Sequence, residues 1–191
     1  MNSYGAAVLA NPHPCGHIVY PYTDENLVGQ AVCLFSSAGI RDGEGVILIM
    51  AAGHCESIKL RLHVEGFDVA AYEQTGQVTC VTTEDLLARL LIDGALNEDL
   101  FRSTLAGLIA RAKASVSNGP YPAKVRIFGE MVSQLRSANL MATTRLEELW
   151  NEVINEHSVA LLCTYALHNA NDFIPETLIE LHTHNIERAG K

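Results

Sequence analysis

The sequence contains few basic residues, and this shortage argues against nucleic-acid binding. Only four of its 191 residues are lysine, and 13 Lys and Arg stand against 22 Asp and Glu, for a formal net charge of −9. Binding to a nucleic acid or to an anionic membrane needs a basic face that displaces counterions, and no cluster of Lys and Arg occurs here. We therefore expect neither a nucleic acid nor a membrane among the direct partners.

Long apolar runs and a secretory leader are also absent. A membrane-spanning helix needs about 18 apolar residues in succession, whereas the run at residues 46–52 has the length of a buried strand. The start, MNSYGAAVLANPHPCGH, has neither the basic beginning nor the sustained apolar stretch of a signal peptide. The cysteines are scattered without a C-x-x-C pair, which is typical of reduced thiols. These features predict a cytoplasmic protein.

No phosphate-binding loop follows the first predicted strand. A nucleotide-hydrolysing sheet would place G-x-x-x-x-G-K-[ST] there, so that backbone N–H groups and a lysine hold the phosphates. The junction instead reads YPYTDENL at residues 20–27, without glycine or lysine and with two carboxylates. The sequence likewise contains no G-x-G-x-x-G after a strand and no G-x-S-x-G elbow. An ordinary P-loop enzyme is excluded, and an α/β-hydrolase nucleophile has no obvious place.

What the sequence does contain is an alternation of apolar strands and amphipathic helices. Strands that are continuously apolar and separated by helices are typical of a parallel sheet covered on both faces. We therefore predict a three-layer α/β/α fold with a mostly parallel central sheet, RecA-like, in which residues 1–16 are an N-terminal extension and 17–191 a single domain. The predicted strands are residues 17–22, 46–51, 77–82, 124–131 and 159–167. The predicted helix signals are Asp24 as a cap, Gly39 and Gly66 as stops, Thr83 and Asn97 as further caps, a capping box at 144–147, and Pro175 in the first turn of a final helix.

Ligands in such sheets bind beyond the carboxyl ends of the strands, and that rule selects the candidate site. His54 and Glu130 directly follow two predicted strands, and Tyr20, Tyr22 and Tyr165 add aromatic walls with polar tips. A carboxylate at this edge could accept a ligand's hydrogen bond, hold a metal-bound water or act as a base.

Each of the two polar residues also has a structural interpretation. Glu130 could cap a neighbouring helix or pair with an arginine such as Arg136, and His54 could cap its own helix and face water. Each tyrosine, taken alone, is more typical of core packing.

Two histidine motifs and one cysteine complete the candidates. H-P-C-G-H occupies residues 13–17, and His182 and His184 alternate near the carboxyl end. Zinc sites usually need four ligands, which neither motif supplies alone; a flexible segment and an exposed helix end are the alternatives. Cys55 beside His54 could be a nucleophile or a structural thiol. We assign no metal, no cofactor and no catalytic residue.

Several segments together resemble the MEDS domain, the sensory domain named after methanogens, methylotrophs and the dichloromethane-responsive repressor DcmR. The resemblance runs from about residue 17 to 186 and implies a relative of the KaiC and RecA fold that lacks a working Walker A loop. The similar segments are HIVYPYTDENL, GEGVILIMAAGHCESIKLRL followed by EGFDV, VRIFGEM and ALLCTYAL. The ligand-binding positions that it implies are His17, Tyr20, His54, Glu130 and Tyr165.

The resemblance further implies a role in sensing hydrocarbon derivatives or other small ligands. MEDS domains occur alone or joined to helix-turn-helix domains and histidine kinases, and this sequence shows no attached output domain. We therefore expect a stand-alone sensory domain that signals to a separate histidine kinase or transcription regulator. Two alternatives stay open: a degenerate RecA-like nucleotide-binding protein or hydrolase that uses Glu130, and an interaction scaffold that forms a homo-oligomer.

Overall fold

The computed structural model of the chain describes residues 1–92, 95–117, 122–136, 139–169 and 171–186. The strands of these segments are β1 His17–Tyr22, β2 Gly45–Met50, β3 Val78–Thr82, β4 Leu91–Ile92, β5 Ala95–Leu96, β6 Val125–Gly129, β7 Ala160–Ala166 and β8 His184–Asn185. In the described segments the central sheet has the order β3-β2-β6-β7-β1-β8, with all neighbours parallel, and β4 pairs with β5 as a separate antiparallel ribbon.

Helices cover both faces of this sheet. They are α1 Ser3–Ala10, α2 Glu25–Arg41, α3 Ala52–Val64, α4 Val69–Thr75, α5 Thr83–Leu90, α6 Glu98–Val116, α7 Met131–Arg136, α8 Leu140–His157 and α9 Glu176–Ile179. Helices α1 to α4 pack on one side, which we call the α2–α3 face, and α5 to α9 pack on the other, the α6–α8 face. The predicted three-layer α/β/α class with a mostly parallel sheet is confirmed. No helix in the described part of the chain has both the length and the apolar character to cross a membrane.

The strands in the middle of the sheet are largely apolar because both of their faces are covered. In β2, all six residues are buried: Ile47 and Ile49 point into the core of the α6–α8 face, while Val46, Leu48 and Met50 point into the core of the α2–α3 face. Successive side chains of a strand point to opposite faces of the sheet, so one continuous apolar run contributes residues to both cores.

Gly39 does not end α2, which continues to Arg41, so its prediction as a stop is wrong. A Cβ atom at Gly39 would come within 2.5 Å of the Arg126 side chain, which crosses the helix at this point. The glycine therefore provides space for a buried arginine. Arg126 pairs there with Glu44, its Nη2 lying 2.5 Å from Glu44 Oε2. Gly66, by contrast, adopts a φ of +92° just after α3 and serves as the predicted stop.

Two predicted helix starts are also shifted. Asn139 caps α8 by accepting a hydrogen bond from Ala142 N–H at 3.1 Å, so the box predicted at residues 144–147 lies inside the helix. Thr82, rather than Thr83, caps α5. The two predicted caps Asp24 and Asn97 are confirmed.

The segments at the two ends of the sequence differ from the prediction. The first sixteen residues, interpreted as an extension, contain α1, whose Leu9 is fully buried against α2. The final helix α9 is short, and the chain then adds β8 beside β1. Residues 187–191 of the predicted domain lie outside the described segments.

Candidate functional site

The connections of the sheet diverge between β2 and β6. The chain leaves β2 for its outer neighbour β3 through α3 on one face, and leaves β6 for β7 through α8 on the other. A crevice opens at such a topological switch point beyond the carboxyl ends of the two strands, because the following helices move apart. His54 lies in the first turn of α3 and Glu130 directly follows β6, so both stand at this crevice.

Glu130 joins the two strand ends. Its Oε2 accepts a hydrogen bond from the Ala51 N–H at 2.8 Å, and its Oε1 lies 2.7 Å from His54 Nδ1. The other ring nitrogen of His54, Nε2, is 3.5 Å from Oε2 of Glu25 at the start of α2. Because a carboxylate faces Nδ1, the proton of a neutral His54 ring resides there, and Nε2 is left to face the crevice.

The proton affinities of the pair follow from burial and charge. Partial burial alone would lower the pKa of His54, but Glu130 and Glu25 outweigh it and the pKa is raised. Burial raises the pKa of Glu130, although the Ala51 N–H and His54 oppose the rise. The side chain of His54 is 41% exposed and that of Glu130 only 7%, so the histidine is the accessible member of the pair.

A cleft of about 260 Å³ adjoins this pair, between α2 and α3. Its apolar part comes from the two helices and from Phe128 on β6, and its polar rim from His54, Glu130 and residues of the helix starts. The lining residues are Glu25, Asn26, Val28, Gly29, Val32, His54, Ser57, Ile58, Arg61, Phe128 and Glu130.

Arg61 closes one side of this cleft. Its Nη2 donates a hydrogen bond to Asn26 Oδ1 at 2.9 Å, which links α3 to α2. A Cβ atom at Gly29 would stand 3.2 Å from the guanidinium carbon, so the absence of a side chain at Gly29 allows this close approach. Sequence reasoning noted the carboxylates after β1 but had no signal for Arg61, which lies in the amphipathic stretch KLRL.

Tyr20 and Tyr22 lie on the same face as the cleft but beneath its surface. Both side chains are buried in the core of the α2–α3 face. Burial, together with the charges of Glu25 and Glu130, raises the pKa of the Tyr22 hydroxyl. For Tyr20, burial and Asp24 raise the pKa. These tyrosines support the site from below, and neither lines the cleft.

His17 and Tyr165 lie on the opposite face of the sheet, away from His54 and Glu130. Both are fully buried, and both contact Glu147 of α8: His17 Nε2 is 3.2 Å from Glu147 Oε2, and the Tyr165 hydroxyl donates to Glu147 Oε1. The structure thus divides the predicted site residues between two separate clusters. His17 also stands at the beginning of β1, not at its carboxyl end.

The structure also tests the structural roles that the sequence suggested for Glu130 and Cys55. Arg136 pairs with Asp172, its Nη2 lying 2.5 Å from Asp172 Oδ1, so the proposed pairing of Glu130 with Arg136 is wrong. Glu130 does accept a hydrogen bond from the backbone of Ala51, the residue just before α3, in addition to contacting His54. Cys55 is partly buried and packs against the core of the α2–α3 face, and all five cysteines are free thiols.

A larger depression, of about 550 Å³, lies at the carboxyl end of β7. Its wall includes Arg136 and Asp172, whose charges already neutralise each other. It has no apolar floor comparable with that of the cleft, since Ala166 is the one apolar residue among those that line it. We therefore treat the smaller cleft at the switch point as the candidate site.

Comparison with protein families gives one match. The family model described as MEDS, MEthanogen/methylotroph, DcmR Sensory domain, matches residues 16–185. A comparison with curated protein sequences gave no match. The family match covers nearly the whole chain and agrees with the resemblance inferred from its strand motifs. The chain therefore belongs to the MEDS family of sensory domains.

Proposed function

We propose that this domain senses a small molecule bound in the cleft between α2 and α3, and passes the event to a partner protein. The observation that carries the proposal is the His54–Glu130 pair beside an apolar floor at the switch point of the sheet. Membership of a sensory family supports the same conclusion.

The size and polarity of the cleft define a class of ligand. A volume of about 260 Å³ is below the roughly 300–1,000 Å³ of sites for drug-sized molecules, so a body of a few carbon atoms fits. Val28, Val32 and Phe128 favour a hydrocarbon body. His54, whose raised pKa favours the protonated ring, would donate from Nε2 to an acceptor atom on the ligand. Short alcohols, ketones, carboxylic acids and haloalkanes combine these properties.

The signal would travel through α3. A ligand between Glu25 and His54 replaces their 3.5 Å contact and changes how α3 sits against α2. The same helix exposes Leu60 and Val64 by 65% and 79%, so its outer surface offers apolar contacts to a partner. The ligand must bind the two arrangements with different affinities for any signal to pass.

A ligand panel tests the site. We would record saturation-transfer NMR of the protein with alcohols, ketones, carboxylic acids and chloroalkanes of one to six carbon atoms. We expect at least one class to bind, and the double variant His54→Gln/Glu130→Gln to abolish its signal. The matched control is Arg136→Gln/Asp172→Asn, which removes an ion pair at the other depression and should leave binding unchanged.

The contrary outcome is equally clear. Binding that survives the His54/Glu130 variant, or that disappears in the Arg136/Asp172 variant, would remove the cleft as the sensing site. Circular dichroism of each variant verifies that it is folded, since His54 is half-exposed and its replacement should leave the core intact.

A further inference from the structure

A second polar cluster lies on the α6–α8 face, on the other side of the sheet from the cleft. It consists of His17 on β1, Glu147 on α8, Cys163 on β7 and His182 just after α9, and all four side chains are fully buried. One ligand atom from each residue (a ring nitrogen of each histidine, the sulfur and a carboxylate oxygen) lies within 4.8 Å of the other three. Four residues with metal-binding side chains thus meet in a part of the core that is otherwise apolar.

The hydrogen bonds around the cluster fix both histidine tautomers. His17 Nδ1 lies 2.9 Å from Asn151 Oδ1, and the Asn151 amide group donates to Leu181 O at 2.9 Å, so the amide oxygen is turned toward the ring. His182 Nδ1 lies 2.8 Å from Leu178 O. Both Nδ1 atoms face acceptors and therefore carry the proton, which leaves both Nε2 atoms pointing into the cluster.

Both Nε2 atoms then face the Glu147 carboxylate. His17 Nε2 is 3.2 Å from Oε2 and His182 Nε2 is 3.4 Å from Oε1. In the described part of the chain, His182 Nε2 is among the buried side-chain atoms that have no hydrogen-bond partner. Two neutral rings would turn both lone pairs toward the carboxylate, and two protonated rings would leave one buried positive charge unbalanced. A single protonated ring balances the charge of Glu147 but leaves the other Nε2 lone pair facing a carboxylate oxygen, so each arrangement retains an unfavourable buried contact.

A divalent cation resolves this conflict of charges. Zn²⁺ bound by two neutral imidazoles, one carboxylate and one thiolate carries no net charge. Tetrahedral coordination with ordinary zinc bond lengths separates nitrogen or oxygen ligands by about 3.3 Å, and either of them from sulfur by about 3.5 Å. The Cys163 sulfur lies 3.4 Å from His17 Nε2 and 3.7 Å from Glu147 Oε2, and His17 Nε2 lies 3.2 Å from the same oxygen, so these three ligand atoms are close to tetrahedral spacing. His182 Nε2 lies 3.4 Å from the other carboxylate oxygen, Oε1.

We propose that His17, Glu147, Cys163 and His182 bind one Zn²⁺ or a similar thiophilic divalent cation. Four protein ligands in a closed, buried position indicate a structural site, without an open position for a substrate. The surrounding contacts are those of a metal centre, because each ligating histidine donates its other N–H to an oxygen and Tyr165 donates to the carboxylate. The ion would join β1, β7, α8 and the segment after α9.

Metal loading changes the protonation of Cys163. Burial and the neighbouring Glu147 carboxylate raise the pKa of this thiol, so it is protonated in the metal-free protein. When the cation binds, a metal–sulfur bond replaces the S–H bond and one proton is released to solvent.

Metal content and cobalt spectroscopy test the proposal on the whole protein. We would express it with added zinc, measure zinc per chain by mass spectrometry of the elements, remove the metal with a chelator and titrate with Co²⁺. We expect about one zinc per chain, and a thiolate-to-cobalt charge-transfer band with intense tetrahedral d–d bands. Cys163→Ser should lose the charge-transfer band. The matched control is Cys33→Ser, since Cys33 is also buried but lies on the α2–α3 face, and it should keep the band.

The variant Asn151→Leu tests whether Asn151 positions the His17 ring for metal binding. Because Asn151 orients His17, the variant should weaken metal binding by about 10–100-fold while it retains the charge-transfer band. If Cys163→Ser does not fold, the wild-type titration decides. A folded wild-type protein that takes up neither zinc nor cobalt, or a cobalt complex without the charge-transfer band, overturns the proposal. Loss of the band in His54→Gln/Glu130→Gln would also overturn it, because it would place the metal in the cleft.

Discussion

His54 and Glu130 hold each other in place, and each changes the proton affinity of the other. The 2.7 Å contact between them spans the carboxyl ends of two strands that are neighbours in the sheet but far apart in sequence. A half-exposed ring bound to a buried carboxylate gives this surface an accessible histidine whose pKa is raised above its usual value.

The proton affinity of His54 can be measured directly. We expect a pKa above its usual value of about 6.5, since Glu130 and Glu25 stabilise the protonated ring more than partial burial opposes it. Glu130→Gln should move the pKa down, because it removes the charge in contact with Nδ1. NMR titration of the ring protons measures both values, and an unchanged pKa in the variant would contradict the assignment.

The same shift has a consequence for stability. A pKa raised on folding stabilises the folded state below the unfolded pKa of about 6.5, and that stabilisation is lost as the pH rises through the folded pKa. The free energy of unfolding should therefore fall more between pH 6 and 9 in the wild type than in His54→Gln. Urea denaturation at the two pH values tests this, and parallel curves for both proteins would contradict it.

Gly39 gives a second prediction for a single residue. Gly39→Ala should destabilise the protein by about 1–3 kcal/mol, because its Cβ would collide with Arg126, which is buried and paired with Glu44. Gly53→Ala is the matched control in α3, where nothing lies within 4 Å of an added Cβ. The control should gain roughly 0.5–1 kcal/mol through helix propensity. Equal effects in the two variants would contradict this explanation.

Sequence reasoning identified His54 and Glu130 as neighbours, because both follow apolar strands of a parallel sheet. It could not separate them from His17 and Tyr165. The face on which a strand residue lies depends on the register of the sheet, and a shift of one residue reverses it. The cluster around Glu147 was not predicted for a related reason. Its members come from three elements and the segment after α9, and the position of Glu147 in the sequence matched a capping box at a helix start.

At the scale of elements, the N-terminal helix α1 belongs to the packed structure. Leu9 is fully buried, and its carbonyl oxygen lies 3.4 Å from Arg126 Nη1, so α1 helps to enclose the buried arginine. Together with the sheet, α1 leaves α2 buried almost all round, which explains why α2 has no clear polar side. A short helix with no charged residue offers little signal in the sequence, and α1 was not predicted for that reason.

Truncation of the Leu9 side chain tests this role of α1. Leu9→Ala should cost about 2–5 kcal/mol, the usual range for a leucine in a core. Val64→Ala is the control, since Val64 is an apolar helix residue that is 79% exposed and should change stability by less than about 0.5 kcal/mol. If Leu9→Ala unfolds no more easily than the control, α1 does not contribute to the fold.

For the whole molecule, the distribution of charge disfavours the binding of phosphates, and we therefore expect no nucleotide chemistry. The net charge is −9, the junction after β1 is acidic, and Glu25 and Glu130 line the cleft. The three-layer architecture itself could be predicted from the apolar runs, because buried parallel strands require such sequences. The cleft between α2 and α3 could not, since it depends on how two helices pack.

Incubation with ATP and Mg²⁺ tests the remaining enzymatic alternative. We expect no release of phosphate and no change in Tm, because the carboxylates of the cleft repel phosphates and no glycine-rich loop cradles them. Glu130→Gln serves as the comparison. Phosphate release that disappears in this variant would instead establish a hydrolase that uses Glu130.

The position of β1 between β7 and β8 determines when β1 can join the sheet during synthesis of the chain. In the described part of the chain, β1 pairs with two strands that lie much later in the sequence, β7 at residues 160–166 and β8 at residues 184–185. Pairing between strands that are distant in sequence requires a long loop to close, and the entropy cost of that closure precedes the stabilising contacts. Such pairing therefore slows folding. Residues 17–22 should therefore remain accessible to protease in nascent chains stalled before residue 160, and become protected only once β7 has emerged.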